Sequence, residues 1–532
     1  MGMFLNPGNA GFTAALRSQI YIDKTELIDF TNSVSGTEQR FVCVSRPRRF
    51  GKSMAAKMLT AYYSRGCDSH DLFAHLKIAK KKSFLTELNG SNVLHLDVQW
   101  FRSIAKDKGN LNQTVSYMQA EVLKEFKTAY PELVSKEDIS LPEALLRIHA
   151  ATEEQFIVII DEWDCLFRED KENHILQEEY INFLRGMFKG TLAESSIKLA
   201  YLTGILPIKK YGTESALNHF DEYTMLDPAP LEEFIGFTED EVRGLCERYQ
   251  LDFQETRHWY DGYLLGEGLH VYSPKSVLDA IRKKRFGSHW TQTETYEALK
   301  YYIEMDFDGL KSAILSMLNG GSCQIDVGVF QNDMTSFKSK DDILTLLVHL
   351  GYLAYDHGRV FIPNAEVGDE FYRAVKNTDW KEITQMIKAS EELLDATLAG
   401  DADKLAEMID KAHLDPMISH LNYNDENALS FVIASAYFSA RKDYTFVREM
   451  PSGKGFADMV FLPRKGSDKP ALIVELKWDK SAKGAIAQIK DKQYVQAISK
   501  LEGDILLVGI NYDRKTRKHE CIIEKAVYGS NQ

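Results

Sequence analysis

Short apolar runs rich in β-formers recur along the N-terminal part of the chain, and longer amphipathic stretches separate them. Phe41–Ser45, 93–98, 156–160 and 199–203 read as strands, with helices over 53–65, 111–127 and 176–188 between them. Buried strands alternating with helices predict a parallel sheet flanked by helices. Past Asp227 the pattern turns helix-rich: Thr238 caps a helix over 238–249, with Glu241 three residues on as in a capping box. A helix over 341–350 and a hairpin of 352–355 and 359–362 around Asp356-His357-Gly358 make a small helix-plus-wing unit. The stretch 379–413 reads as a helical connector. Beyond it come a helix over 427–440, strands at 444–449, 457–462, 471–477 and 505–510, and a helix over 482–501. The expected domains are 1–227, 228–378, 379–421 and 422–532.

Composition narrows the class. The chain has 532 residues, 44% hydrophobic and 27% charged, with 13 prolines, which suits several globular domains. Its net charge of −14 argues against a surface basic overall, while a local basic channel can still sit inside an acidic protein. No apolar stretch approaches the roughly 18 residues of a membrane span, and the start has no basic segment followed by an apolar one. A cytoplasmic location without a membrane partner is expected. The six cysteines form no Cys-x-x-Cys pair and read as reduced core thiols.

Candidate chemistry begins after the first strand, in Arg46-Pro47-Arg48-Arg49-Phe50-Gly51-Lys52-Ser53. A phosphate-binding loop needs main-chain N–H groups at a helix start, a lysine on the β/γ oxygens and a hydroxyl on Mg²⁺. Gly51, Lys52 and Ser53 supply these in order, although Arg46 stands where the usual pattern has its first glycine. The run 156–160 then ends in Asp161-Glu162. At the carboxyl edge of a parallel sheet Asp161 can hold Mg²⁺ and Glu162 can polarise a water, whereas a strand running out into solvent is the plainer alternative. Asp164 is a supporting acid or a surface residue. Thr203 is a γ-phosphate sensor or a strand-end turn residue before Gly204. ATP with Mg²⁺ is the expected ligand.

A second constellation lies near the end. Asp458 falls in the strand 457–462, and Glu475 and Lys477 share one face of the strand 471–477, because side chains alternate along a strand. The turn between lets Asp458 and Glu475 converge. Meeting carboxylates can hold Mg²⁺ for phosphodiester hydrolysis, with the lysine orienting water or charge, while an exposed Glu/Lys cross-pair is the plainer alternative. Glu426 is a capping acid or a third carboxylate, and Gln488 and Tyr494 either support the site or face solvent.

With both ends read, the chain resembles a bacterial family in which an AAA-like ATPase domain precedes a PD-(D/E)XK nuclease-like domain. The resemblance runs through Tyr21-Ile22-Asp23-Lys24-Thr25, the loop from Arg46 to Ser53, Asp161-Glu162, Leu202-Thr203-Gly204-Ile205, Gly236-Phe237-Thr238, Trp259-Tyr260-Asp261-Gly262-Tyr263 and Val271-Tyr272-Ser273-Pro274. At the far end it covers Glu426, Gly455-Phe456-Ala457-Asp458, Glu475-Leu476-Lys477 and Gln488-Ile489-Lys490, ending at Tyr494. That family's loop itself begins with arginine. It commonly carries a further arginine before the aspartate, where this chain reads Lys454-Gly455-Phe456. The resemblance implies an α/β fold: a P-loop NTPase sheet, a helical and winged-helix-like middle, and a restriction-endonuclease-like C-terminal domain. It implies Asp458 and Glu475 as metal ligands and Lys477 as the catalytic lysine. The expected activity is an ATPase that regulates or drives a Mg²⁺-dependent nuclease on nucleic acid, DNA before RNA. The rival is an ATPase switch whose nuclease-like domain only binds nucleic acid or protein. Arg48 and Arg49 are the arginine-finger candidates within the chain, and a homo-oligomer can supply one from a second copy.

Overall fold

The computed structural model describes residues 2–134, 139–208, 210–211, 214–215, 217–289, 295–305, 307–328, 330, 337–376, 381–413, 426–452, 455–464, 467–498 and 504–526. Lys454 and the ends of the expected connector lie outside this set. The chain divides into two compact units, one of Met1–Trp290 and Gln324–Glu366, the other of Thr291–Cys323 and Val367–Gln532. No helix among the described residues is long and apolar enough to cross a membrane.

In the first unit the strands are β1 (Phe41–Ser45), β2 (Asn92–Asp97), β3 (Phe156–Asp161), β4 (Ile197–Gly204) and β5 (Asp221–Tyr223). They form one parallel sheet in the order β2-β3-β4-β1-β5. Every residue of β1 and β3 is buried, because helices cover both faces, and this is why those runs are apolar throughout instead of alternating. Val158, Leu202 and Leu94 share a core with Phe126, Ile148 and Leu184 from the surrounding helices. The chain leaves β1 for the far edge at β2 and comes back through β3 and β4, so the strand order switches at β1. A crevice beyond the carboxyl end of that strand is where such sheets bind ligands.

Helix α1 (Lys52–Tyr63) follows β1 directly, with Gly51 at its N-cap in the left-handed region at φ 101°. Further on, α2 (Glu239–Tyr249) opens with the expected capping box of Thr238 and Glu241. It packs with α3 (Phe253–Tyr260) and α4 (Pro274–Lys283) around Val242, Trp259, Val277 and Ile281. A helix at Lys340–Leu350 and the hairpin of Ala354–Asp356 with Arg359–Phe361 form the wing-like part.

The second unit holds β6 (Tyr444–Ser452), β7 (Gly455–Pro463), β8 (Ala471–Trp478), β9 (Ile505–Asp513) and β10 (Lys518–Ala526) in that spatial order. Only β8 and β9 pair parallel, the other neighbours being antiparallel. One face carries α5 (Lys381–Ala399), α6 (Ala402–His413) and α7 (Glu426–Ala436), and the other carries α8 (Ala482–Asp491). The stretch read as a connector therefore adds Leu393, Leu394, Leu405 and Ile409 to the sheet's core. It breaks at Gly400, where φ is 75° and Asp401 caps the next helix through Lys404 N at 3.0 Å. The helix expected over 482–501 also divides, at the left-handed Gln493.

One glycine fixes a close approach in the first unit. Gly262 has φ +105°, and a Cβ there would lie 2.0 Å from the Pro363 carbonyl oxygen. Gly262→Ala is expected to cost on the order of 3 kcal/mol, from backbone strain and overpacking together. Thermal unfolding checks this, and an unchanged midpoint would show that the Pro363 loop yields freely.

Candidate functional sites

The first site lies where β1, β3 and β4 end together. In register, Asp97 faces Asp161, Asp161 faces Thr203, and Val44 faces Thr203 from the other side. The Lys52 ammonium is buried and donates to the Pro47 carbonyl at 3.0 Å, with Glu162 Oε1 4.0 Å away. Burial lowers its pKa, while Glu162 pulls the other way. Burial likewise pushes the Asp161 carboxyl up to about 6, against the pull of a hydrogen bond from Ser53. Both shifts reflect charge held out of water with incomplete pairing. Thr203 is fully buried, and its hydroxyl has no hydrogen-bond partner among the described residues.

The arginines of the loop part company. Arg46 is buried, and its Nη1 donates to the carbonyls of Ser45, Tyr223 and Thr224 at 3.0, 2.9 and 2.9 Å, so it turns into the sheet. Burial lowers its pKa to about 10. Arg48 reaches Glu169 at 2.8 Å, and Arg49, left-handed at φ 73°, donates to the His289 carbonyl at 3.0 Å. Phe50 is buried edge-on against Tyr263, with ring centroids 5.2 Å apart. The loop thus brings together Pro47, Lys52 and Ser53 with Asp161 and Glu162, while the Arg46 guanidinium stays apart from them.

Sequence reasoning missed Arg168. It donates from Nη2 to Glu162 and from Nε to Asp164 at 2.9 Å. Its signal was the spacing of four from Asp164 on a short helix. Asp164 itself is fully buried rather than on the surface, and its Oδ2 also accepts from the main-chain N–H groups of Ile205 and Leu206 at 3.0 and 2.8 Å. Glu162 sits left-handed at φ 53°, which turns its side chain back toward Lys52 and Arg168.

The second site lies on β7 and β8. Met459 pairs with Val474, which puts Asp458 beside Glu475 at the next step of the antiparallel register. Asp458 Oδ2 accepts from Leu476 N at 2.7 Å. Lys477 Nζ donates to Glu475 Oε1 at 3.0 Å and to the Leu476 carbonyl at 2.8 Å. Gln488, on α8, donates to the same Oε1 and lies 3.4 Å from the Tyr494 hydroxyl, so both belong to the site. The close seat of α8 requires Gly509 opposite Glu475, where a Cβ would meet the Ala482 carbonyl at 2.5 Å. Glu426 opens α7, and its side chain lies outside the described residues.

Glu475 is 1% exposed, and its Oε2 has no hydrogen-bond partner among the described residues. Burial first, and then the neighbouring Asp458, push its carboxyl up to about 7. A buried carboxylate oxygen left open beside a second carboxylate is a donor set that fits a hard divalent cation such as Mg²⁺. At the first site the Ser53 hydroxyl and the buried Asp161 carboxylate, hydrogen-bonded to each other, are hard oxygen donors of the type Mg²⁺ takes.

A nucleotide-binding type of parallel sheet and a nuclease type of mixed sheet define the class. Residues 13–213 match the family model described as predicted AAA-ATPase, and residues 425–521 match the PD-(D/E)XK nuclease superfamily. The chain thus places a region similar to predicted AAA-ATPases ahead of one similar to the PD-(D/E)XK nuclease superfamily. No curated protein matches it. Solved structures give distant likenesses. The Walker-type ATPase of Pyrococcus abyssi is 14% identical, with 65% of this chain and 94% of that one covered and a TM-score of 0.32. The replication initiator DnaA bound to AMPPCP and single-stranded DNA is 10% identical, with coverages of 76% and 97% and a TM-score of 0.28. The ORC2 protein of Aeropyrum pernix is 16% identical, with coverages of 73% and 100% and a TM-score of 0.30. Scores this low say nothing of function.

The raised pKa of Glu475 has a testable sign. The folded state favours the protonated acid, so this group's contribution to stability is complete below about pH 4.5 and is lost as pH rises through about 7. Without divalent metal, Glu475→Gln should therefore gain stability relative to the wild type between pH 5 and pH 8.5, by about 3 kcal/mol at most. Thermal unfolding at both pH values measures the gain, and a difference that stays constant would contradict the shift.

Proposed function

We propose that this chain is an ATPase that regulates or drives Mg²⁺-dependent hydrolysis of nucleic acid, DNA before RNA, at Asp458, Glu475 and Lys477. The observation that carries the nuclease half is Glu475. One of its oxygens is held by Lys477 and Gln488, and the other is buried, open and next to Asp458. A protein keeps a buried acceptor unpaired at a cost of about 1–3 kcal/mol, and with a second carboxylate beside it a cation ligand would offset that cost.

In this reading the main-chain N–H groups of Gly51, Lys52 and Ser53 face the phosphates of ATP, and the Lys52 ammonium moves from the Pro47 carbonyl to the β/γ oxygens. Ser53 and Asp161 would hold Mg²⁺, whose charge would offset that of the phosphates. Glu162 orients the attacking water and takes its proton, once Arg168 shares or yields its grip. Thr203 offers its unpaired hydroxyl to the γ-phosphate. Arg46 supports the loop from below, and Arg48 and Arg49 flank it.

At the second site Asp458 and Glu475 would hold Mg²⁺, which when bound would supply an activated water and positive charge for the phosphodiester. Lys477 keeps its ammonium against Glu475 and orients that water. Gln488 and Tyr494 fix the carboxylate's rotamer.

Purified protein incubated with Mg²⁺ or Mn²⁺, ATP and several DNA and RNA substrates tests both halves. Lys477→Ala should cut cleavage by about 100-fold or more, and cleavage equal to the wild type would sink the nuclease assignment. Binding of nucleic acid that survives Glu475→Ala, with no cleavage by the wild type, would favour a binding module instead. Separately, Glu162→Gln should keep ATP binding and lose turnover, whereas Lys52→Ala should lose binding. Undiminished turnover in Glu162→Gln would remove Glu162 from its role.

A further inference from the structure

We propose that the paired C-terminal ends of α2 and α4 form a docking surface for the phosphate backbone of nucleic acid. The proposal rests on the reading of the second unit as acting on nucleic acid. Residues 282–285 read Arg-Lys-Lys-Arg, and all four are exposed. Helix α4 is anchored beneath them by Val277, Ala280 and Ile281, so the run projects from a fixed base. Lys284 adopts the left-handed cap at φ 50° and donates back to the Tyr249 carbonyl at the end of α2. That bond brings in Arg248, whose guanidinium lies 5.5 Å from the Tyr249 ring centroid.

The acids on these last turns are Glu247 and Asp279, and Asp279 is shared between Lys275 at 2.9 Å and Lys283 at 3.0 Å. Among the described residues Arg248, Arg282 and Arg285 make no ion pair. Cations in the last turn of a helix complement its dipole, which accounts for Arg248, Arg282 and Lys283. It does not account for Arg285, which lies beyond the helix. In a chain of net charge −14, so concentrated a positive surface is suited to an anionic partner in another molecule.

The partner's chemistry follows from what flanks the cations. Phe286 packs into the core and leaves no apolar anchor of the kind a membrane-lying segment uses. Unpaired guanidinium groups suit phosphate, which they grip with two hydrogen bonds. The surface is also pre-organised. Tyr260 holds Gly287 by hydrogen bonds at 3.1 and 3.3 Å and stacks on His289 at 5.9 Å. His289 N donates to Glu366 at 2.7 Å, and its carbonyl receives Arg49 of the nucleotide loop. The cations are thus carried on a stem fastened to the ATP site itself.

Fluorescence anisotropy of the full chain with labelled duplex and single-stranded DNA, across a salt series, tests this. Each phosphate contact contributes about 0.9 to the slope of log affinity against log salt. Arg282→Ala with Arg285→Ala should lower that slope by about 2 and weaken binding about tenfold or more at every sequence tried. Arg282→Lys with Arg285→Lys should restore most of both, which separates lost charge from a damaged fold. Wild-type binding and cleavage with no change in the alanine variant would overturn the docking surface alone. A wild type that binds anionic lipid vesicles and no DNA would overturn it in favour of a membrane face. A wild type that neither binds nor cleaves any nucleic acid would remove the underlying reading of the second unit.

Discussion

The first site depends on one buried carboxylate. Asp164 accepts from the N–H groups of Ile205 and Leu206, just past β4, while its own helix follows β3. It therefore ties together the chain just past the ends of two parallel strands, beside the main-chain bond from Trp163 N to the Thr203 carbonyl at 3.1 Å. Its partner Arg168 turns the same ion pair toward Glu162. Removing one member of a buried pair costs about 3–5 kcal/mol, because the other charge is left uncompensated. The consequence here is also geometric: Asp161 and Glu162 lie on one of those strand ends and Thr203 on the other. Gly204 completes the joint, since a Cβ there would sit 2.6 Å from Asp164 Oδ1.

The second site divides its oxygens in a comparable way. Asp458 gives Oδ2 to the backbone of β8, and Glu475 gives Oε1 to Lys477 and Gln488. Those bonds fix two side chains on adjacent strands without using every acceptor. Asp164 gives Oδ2 to Arg168 and to two main-chain N–H groups, and its buried Oδ1 has no hydrogen-bond partner among the described residues. Glu475 likewise leaves Oε2 open, and its burial and the neighbouring Asp458 raise its pKa.

Legibility in the sequence followed the physics of each element. β1, β3 and β4 were plain because a strand buried on both faces is apolar throughout, and Glu475 with Lys477 was plain because strands alternate. β5 and β10 were missed for the opposite reason. Asp221–Tyr223 is short and half exposed, and Lys518–Ala526 carries charge at its exposed positions, as an edge strand does. The helical stretch before the nuclease sheet read as a connector because its apolar stripe names no partner, and only the fold supplies one. Arg168 was missed because a single arginine has no pattern, whereas its partners had one.

Arg46 shows how a departure from a motif can be structural. A glycine at the start of the loop would leave the Tyr223 and Thr224 carbonyls, at the end of β5, without the donor that Arg46 Nη1 provides. β5 is only three residues long and is held along one side by β1. A strand so short needs a second attachment, and a guanidinium reaching under the loop supplies it from the residue that also starts the loop. Lysine could not replace it well, since its ammonium is a compact, strongly hydrated charge and costs more to bury than a delocalised guanidinium. Loop and edge strand are therefore fastened by one side chain. The conformation of the phosphate loop depends on the sheet's edge as well as on the helix it caps.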